Sequence, residues 1–447
     1  MSEKGFGVFV MEIRRMSGGR IRGRRTERVV ARGAAIFLAL ALVAPSVSAQ
    51  DSASRPTLPS CSGKLLSRDA LRALALASSP VVAEIDREYA AELARAVETE
   101  TLQNPELQAE RTFTRMNIGG ANDPQAQVSL GQPLRLSNFG SRARVAALLE
   151  RAGEQRKRVK LFGLMQRLSL QLRMLEGYQR SLAIVKEARV RAEGKVSLIR
   201  EGTKKGLLSR GDERLFEGEM YRLLARERGI SARVALVESE LARAIGVRCT
   251  IVVGGEGGPG PLPSVEALIE KAKKSTLSDQ ARVDILRDLS NEQVRLAELD
   301  RTPQITPRLM YQHTNDGGDF VGVGVSIPLP IWNQNQAETM RAAADSKVAQ
   351  LQAAFIEDGA LAEQISRLRI AAVNAHEQAA LFDSKVIPAF QDALTFEEKR
   401  YGEGRGNLLQ VWQTLRALND VRSEGLELAL AAAAIRSELS ILIGEEI

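Results

Sequence analysis

The chain has 447 residues, 44% of them hydrophobic, 4% aromatic and 26% charged, with two cysteines and a formal charge of +7. The charge does not point to nucleic acid: residues 1–49 hold nine of the 62 Lys and Arg and three of the 55 Asp and Glu, so the remainder carries 53 against 52, about +1. No apolar run reaches the ~20 residues of a membrane-spanning helix, which leaves a soluble exported protein or one that crosses a membrane as a β-barrel.

Residues 1–49 read as an export signal. Arg20, Arg22, Arg24, Arg25, Arg28 and Arg32 form the basic region, residues 34–44 the apolar core, and Val47, Ser48 and Ala49 a small-residue cleavage site. The basic region is long, so Met11 and Met16 are alternative starts. Residues 50–66 follow as a Ser/Pro-rich flexible segment. Cys61 and Cys249 remain after cleavage, and an even count in an oxidising compartment favours a disulfide. Two separate buried thiols, or a lipid-modified Cys61, are the open alternatives.

A first structural repeat covers 67–250. It begins with a helix capped at Ser67 that carries Leu71, Leu74, Ala75 and Val82 on one face. The helix runs to about Gln103, kinked at Pro80, and stops before Pro105. Residues 105–136 read as a β-hairpin. Leu107, Ala109 and Phe113 alternate with Gln108, Glu110, Thr112 and Thr114, with Arg111 interrupting the apolar row; Ala126, Val128 and Leu130 alternate with Gln125, Gln127 and Ser129. From about 141 to 202, Leu161, Met165, Leu168, Leu172, Leu175 and onward to Ile199 step by threes and fours in a coiled-coil rhythm. That predicts a helix on the order of 90 Å long at ~1.5 Å per residue. A tip near 203–209 interrupts it, and Ser209 with Asp212 opens a second long helix, about 210–246, like a capping box.

Residues 251–263, rich in Gly and Pro, read as a linker. The second repeat, 264–447, follows the same plan: helix 264–300, hairpin 304–331, helix about 335–402, a tip near 402–407, and helix 407–443. Val321, Val323, Val325 and Ile327 alternate with Gly322, Gly324 and Ser326, Asn407 stands where Ser209 stands, and Pro388 kinks its helix. Pro133 to Pro328 is a shift of 195 residues and Pro105 to Pro303 one of 198, which marks an internal duplication. The strands, ~10 residues each with one apolar face, match a transmembrane β-barrel pattern, with half-buried soluble strands as the alternative. Four strands cannot close a barrel, whereas three copies supply twelve. Phe113, Phe139, Tyr311, Phe320 and Trp332 cluster in or just after the hairpins, as an interfacial belt does.

His313 and His376 stand apart from any Cys, Asp or Glu at metal-ligand spacing and read as surface or lumen residues. There is no phosphate-binding loop and no Ser/His/Asp or Cys/His arrangement. No enzyme, cofactor or metal is expected.

Over nearly its whole length after the signal, the chain resembles the TolC-type outer-membrane efflux proteins, closest to the heavy-metal-efflux branch (CusC- and CzcC-like). The residues that carry the likeness are Asn104, Pro105, Glu106 and Leu107 at the first strand, the run from Ile327 to Gln336 after the last, Ile387, Pro388 and Ala389, the break from Tyr401 to Gly404, and Leu442, Ile443 and Gly444. The resemblance implies a mainly α protein with a small β part: long antiparallel coiled-coil helices forming a trimeric α-barrel, plus four strands per chain in a twelve-stranded transmembrane β-barrel. It implies a homotrimer in the outer membrane of a Gram-negative cell, embedded in outer-membrane lipid and extending into the periplasm, with a periplasmic adaptor (membrane fusion) protein and an RND-type inner-membrane pump as partners.

By the same resemblance the two helix breaks are the periplasmic tip. Gly206, Leu207 and Ser209 in one break, with Gly404 and Asn407 in the other, fall at the adaptor contact. Asp212 matches an acid that takes part in closing the pore, Tyr401 matches a tip tyrosine, and Arg405 lies near the arginine that pairs with that acid. Gln410 and Gln413 occupy positions where some relatives carry a ring of cation-binding aspartates, which argues against a cation-blocked entrance. The implied function is a passive exit duct of a tripartite efflux system for heavy-metal cations or drugs. A duct for type I protein secretion, and a periplasmic coiled-coil scaffold without a pore, are the alternatives.

Overall fold

The computed structural model describes residues 68–112, 125–206, 208–247, 260–314 and 318–447. The export signal, the segment 50–66, Cys61, Leu207, Phe113, Cys249 and most of the Gly/Pro linker lie outside the described residues. In chain order the elements are α1 (Arg68–Ser78), α2 (Pro80–Glu100), β1 (Glu106–Thr112), β2 (Gln125–Gly131), α3 (Phe139–Lys204), α4 (Arg210–Ile245), α5 (Val265–Lys274), α6 (Asp279–Leu299), β3 (Thr306–His313), β4 (Asp319–Ser326), α7 (Gln336–Glu357), α8 (Ala360–Leu381), a π-turn (Phe382–Val386), α9 (Ile387–Gly402) and α10 (Leu408–Ile443).

Three stretches read as single helices are in fact broken, each for a local reason. The helix expected from 67 to 103 ends at Ser78. Ser79 is extended (φ −69°, ψ 128°), its hydroxyl accepts from the N–H groups of Val81 and Val82, and Pro80 takes the first helical position, where no donor is needed. Serine caps likewise split 264–300 into α5 and α6: Ser264 starts one and Ser278 the other. The stretch 335–402 breaks at Gly359, whose φ of +89° is open to glycine, and again at the π-turn before Pro388. Pro388 offers no N–H to the preceding turn and its ring crowds the carbonyl of Ser384, so the widened turn absorbs the conflict that was expected as a kink.

The two breaks at Ser79 and Ser278 do the same job in the two repeats. α4 and α10 each end on a left-handed glycine, Gly246 (φ +81°) and Gly444 (φ +74°). The first break docks on the end of α4, where a Cβ on Gly246 would lie 2.0 Å from the carbonyl oxygen of Ser78. The second docks on the end of α10, where a Cβ on Gly444 would lie 2.6 Å from the carbonyl carbon of Leu277. Beside each break a short helix closes a core cluster. α1 places Leu71 and Ala75 against Leu168, Leu172 and Leu241, and α5 places Leu268 and Ala272 against Ile365, Leu439 and Ile443.

α3 has 66 residues, roughly 100 Å of helix. Its buried row runs through Leu164, Leu168, Leu172 and Leu175, then narrows to Ala188, Ala192 and Val196. Apolar clusters are strung along the helices in place of one central core. At the other end, the hairpins of the two repeats join in one antiparallel sheet of order β1-β2-β3-β4.

Candidate functional site: the sheet and the helix tips

The strand register lines up the apolar positions. Leu107, Leu130, Leu309 and Val323 face one another across the four strands, and Ala109, Val128, Tyr311 and Val321 form the next row on the same face. This face is uncovered: Val323 is 85% exposed and Val321 74%. The opposite face carries Glu106, Gly131, Arg308 and Gly324 in one row and Gln108, Ser129, Met310 and Gly322 in another. Arg308 lies flat across β2, donating to Gln108 at 2.8 Å and pairing with Glu106 at 3.8 Å. Gly131 makes this path open, because a Cβ there would sit 3.1 Å from Arg308 Cγ. β1 and β4 each have a neighbour on one side only, so two rows of backbone donors and acceptors end the sheet.

Arg111, which interrupts the apolar pattern, falls in a row with Ala126, His313 and Asp319 at the far end of the sheet. There the Asp319 carboxylate accepts from the Tyr311 hydroxyl at 2.7 Å and bonds His313 Nδ1 at 2.7 Å. The break in the apolar row is thus the polar rim of the strands. Tyr311 lies on the apolar face, but Phe320 is paired with Gln312 on the other, so these two aromatics do not share the single belt expected of them. Among the described residues no group of His, Cys, Asp and Glu is placed to hold a metal.

Asp300 fastens the sheet to the helices. Its carboxylate accepts from Asn138, which precedes α3, and pairs with Arg142 at 3.3 Å and Arg135 at 3.6 Å. α6 and the start of α3, one from each repeat, are held together at the strand roots.

At the far ends of the helices, the two tips repeat one geometry. Lys205 N–H donates to Glu201 O and Gly206 N–H to Thr203 O; Glu403 N–H donates to Lys399 O and Gly404 N–H to Tyr401 O. Gly206 (φ +74°) and Gly404 (φ +72°) turn the chain through the left-handed region. Ser209 then caps α4, its Oγ accepting from Asp212 N–H at 3.1 Å while the Asp212 carboxylate accepts from the Ser209 hydroxyl at 2.8 Å and its N–H at 3.4 Å. Asn407 caps α10 by accepting from Leu409 N–H at 2.9 Å. Leu208 of the first turn and Leu408 of the second pack in one cluster, so the tips lie side by side.

The structure does not bring Asp212 and Arg405 together within the chain. Asp212 is engaged in its own capping box, and Arg405 pairs with Glu403 at 2.6 Å in its own turn. Tyr401, Gln410 and Gln413 are exposed, while Val411 and Trp412 on the other side of α10 are buried.

Sequence reasoning missed what locks the tip. Phe216 stacks on Trp412 with ring centroids 4.6 Å apart and an interplanar angle of 52°, against Ala192, Val196 and Ile199 of α3. One residue on, buried Glu217 is clamped by Arg200 at 2.6 Å and Arg214 at 2.9 Å. The hydrogen bond from Arg200 holds its carboxyl below the usual carboxylate range. Ion pairs then link the first-repeat hairpin to the second: Lys195 with Glu398, Arg222 and Arg226 each with Asp420 at 3.1 Å, and Arg416 with Glu219 at 3.5 Å. Continuing the apolar register along α4 and α10 would have found Phe216 and Trp412; the ion pairs carry no sequence signal, because exposed Arg and Glu are common throughout these helices.

No protein-family model matches the chain, and no curated protein matches it in sequence. Solved structures do match in fold. The transmembrane channel CusC aligns with a TM-score of 0.69 at 13% identity, covering 85% of this chain and 92% of that one. The outer membrane protein VceC of Vibrio cholerae aligns at 0.67 and 14%, covering 85% and 96%. The CmeC outer membrane channel of Campylobacter jejuni aligns at 0.68 and 11%, covering 85% and 86%. The chain therefore has the fold of these outer-membrane channels.

Proposed function

We propose that the chain is one protomer of an outer-membrane exit duct, a homotrimer that conducts its cargo passively across the periplasm and outer membrane. The observation that carries this reading is the sheet. Its apolar face is bare and its two edges are unpaired, and an open sheet of that kind is stable neither in water nor in lipid. Pairing β1 of one copy with β4 of the next satisfies the edges, and three copies close twelve strands with the valine and leucine rows toward lipid and the Arg308 face toward the lumen. The long helices then extend from the barrel into the periplasm and place both tips at its far end.

On this reading the turns at Gly206, Ser209, Gly404 and Asn407 meet a periplasmic adaptor, and a separate inner-membrane pump supplies the energy. Asp212 and Arg405 meet only across the boundary between two protomers. The cargo class, metal cation or drug, is set by the pump in this arrangement, since a wide passive lumen discriminates little.

Outer-membrane fractionation with unheated and heated gel samples, followed by planar-bilayer recording, tests the proposal. Heat-modifiable trimers that give discrete conductance steps are expected. A soluble monomer without channel activity overturns the reading and leaves the pore-less scaffold.

A further inference from the structure

A cleft of about 990 Å³ opens between α3, α8 and α10. Small residues make the room: Gly177 on α3, Ala372 and Ala380 on α8, and Gly425, Ala429 and Ala433 on α10. Six arginines line it against three carboxylates, so the lining carries an excess of positive charge. Glu377 and Asp383 are exposed, whereas Arg422 and Arg436 are half-buried. Arg180 is paired with Glu176 at 2.7 Å and Arg226 with Asp420 at 3.1 Å. Arg369 and Arg436 donate to the main-chain oxygens of Pro263 and Gly260, each at 2.6 Å.

Arg422 has no hydrogen bond or ion pair among the described residues. Burial pushes its guanidinium pKa down; Glu187 opposes this, but Glu187 is itself bonded to Arg191 at 2.5 Å, and Arg191 pushes the same way as burial. Ser423 beside it and Ser181 on α3 also line the cleft with hydroxyls that have no partner among the described residues. Asn419, one turn away and 5% exposed, leaves its Oδ1 unpaired in the same wall. A half-buried guanidinium and two hydroxyls in one stretch of the cleft, all without a partner among the described residues, offer donors to an anion, beside a wall that already holds one unpaired buried amide oxygen.

We propose that this part of the cleft binds an oxyanion of the phosphate or phosphomonoester class. The guanidinium fork can take two oxygens, which leaves the hydroxyls of Ser423 and Ser181, on two helices, for a third. A tetrahedral oxyanion has that third oxygen; a carboxylate has only two. The walls around it are apolar, with Ile184, Val373 and Leu426, and the cleft leaves space for an organic body on the phosphate. The inference stands apart from the duct proposal, because the site lies within one protomer.

The test is phosphorus-31 NMR line broadening on the full chain in detergent, with inorganic phosphate and hexyl phosphate as probes and sodium chloride holding the ionic strength constant. Saturable broadening is expected. Arg422→Gln should weaken binding by about tenfold or more and Ser181→Ala by about fivefold, while Arg341→Gln, on an exposed face of α7, should leave it unchanged. Tighter binding of hexyl phosphate identifies an organic phosphate as the natural source, and equal binding identifies free phosphate. Non-saturable broadening, acetate competing as well as phosphate, or an Arg422→Gln protein that binds like wild type overturns the proposal. Should Arg422→Gln lose its helical circular dichroism, Arg422→Lys, which keeps the charge and loses the fork, takes its place; unchanged affinity there overturns it equally.

Discussion

At the residue scale, Gly444 carries more weight than its place near the end of the last helix suggests. Gly444 lies at φ +74° with the Leu277 backbone packed where its Cβ would be, so a side chain there is excluded twice, by conformation and by space. Gly444→Ala should lower stability by more than ~1 kcal/mol and push the α5–α6 break off the end of α10. Thermal unfolding compared with Gly359→Ala separates the two causes, because Gly359 also has a positive φ (+89°) but open space around it; an equal loss in both variants would show that only the backbone conformation matters. Glu217 sets a pH dependence. Its carboxyl titrates below the usual range when folded, held by Arg200, so its contribution is present above the unfolded carboxylate pKa of ~4.3 and is lost as pH falls through the lower folded value. The difference in melting temperature between wild type and Glu217→Gln should therefore be largest near neutral pH and vanish in acid. A difference that is constant from neutral pH to below the folded pKa would refute the clamp.

At the scale of elements, what was legible in the chain was whatever its own neighbourhood decides. Ser209 and Asp212 three residues apart are enough to cap a helix by themselves, and both Gly206 and Gly404 had to turn the chain between two long apolar rhythms. The breaks at Ser278 and Gly359 were not legible, and at Pro80 the chain showed a kink but not the full break at Ser79, because the apolar stripe continues through each one and a serine inside a helix looks much like a serine at its start. The side-by-side pairing of β2 with β3 was hidden as well, since it joins strands from different repeats and no local pattern fixes such a contact. The alternation did show which residues share a face, and the register turned that into rows. Val323 stands midway along the apolar face of β4, between Val321 and Val325, and is 85% exposed. On the proposed duct, Val323→Lys buries a charge in lipid at a cost of ~2–4 kcal/mol per copy near the midplane. The expected result is loss of the heat-modifiable trimer with helical circular dichroism retained. Wild-type levels of trimer in the outer membrane would place this face elsewhere than in lipid. Met310→Lys, on the opposite face, should be tolerated in the same assay.

At the scale of the whole molecule, the two hairpins are joined near their tips by a buried apolar cluster and, around it, by charge. Arg222 and Arg226 converge on Asp420, which is itself about half exposed, and Arg416 reaches Glu219. Exposed pairs of this kind contribute roughly 0.2–1 kcal/mol each, too little to hold the fold but enough to bias one arrangement of two stiff rods over another. On the proposed duct the bias is multiplied, because all three copies must part for a common entrance to widen: about 1 kcal/mol per copy becomes about 3 kcal/mol for the ring, a factor on the order of 100 in the open population. Apolar packing behaves differently. The Phe216–Trp412 stack is insensitive to salt, so it should keep the hairpins in register while the ion pairs are released. Asp420→Ala is therefore expected to leave the melting temperature nearly unchanged and to raise the fraction of time spent in the high-conductance state in bilayers at low ionic strength. Wild type should approach the variant as salt is raised, since screening removes in one what the substitution removed in the other. An Asp420→Ala channel indistinguishable from wild type at low salt would move control of the entrance away from this contact, to the turns themselves.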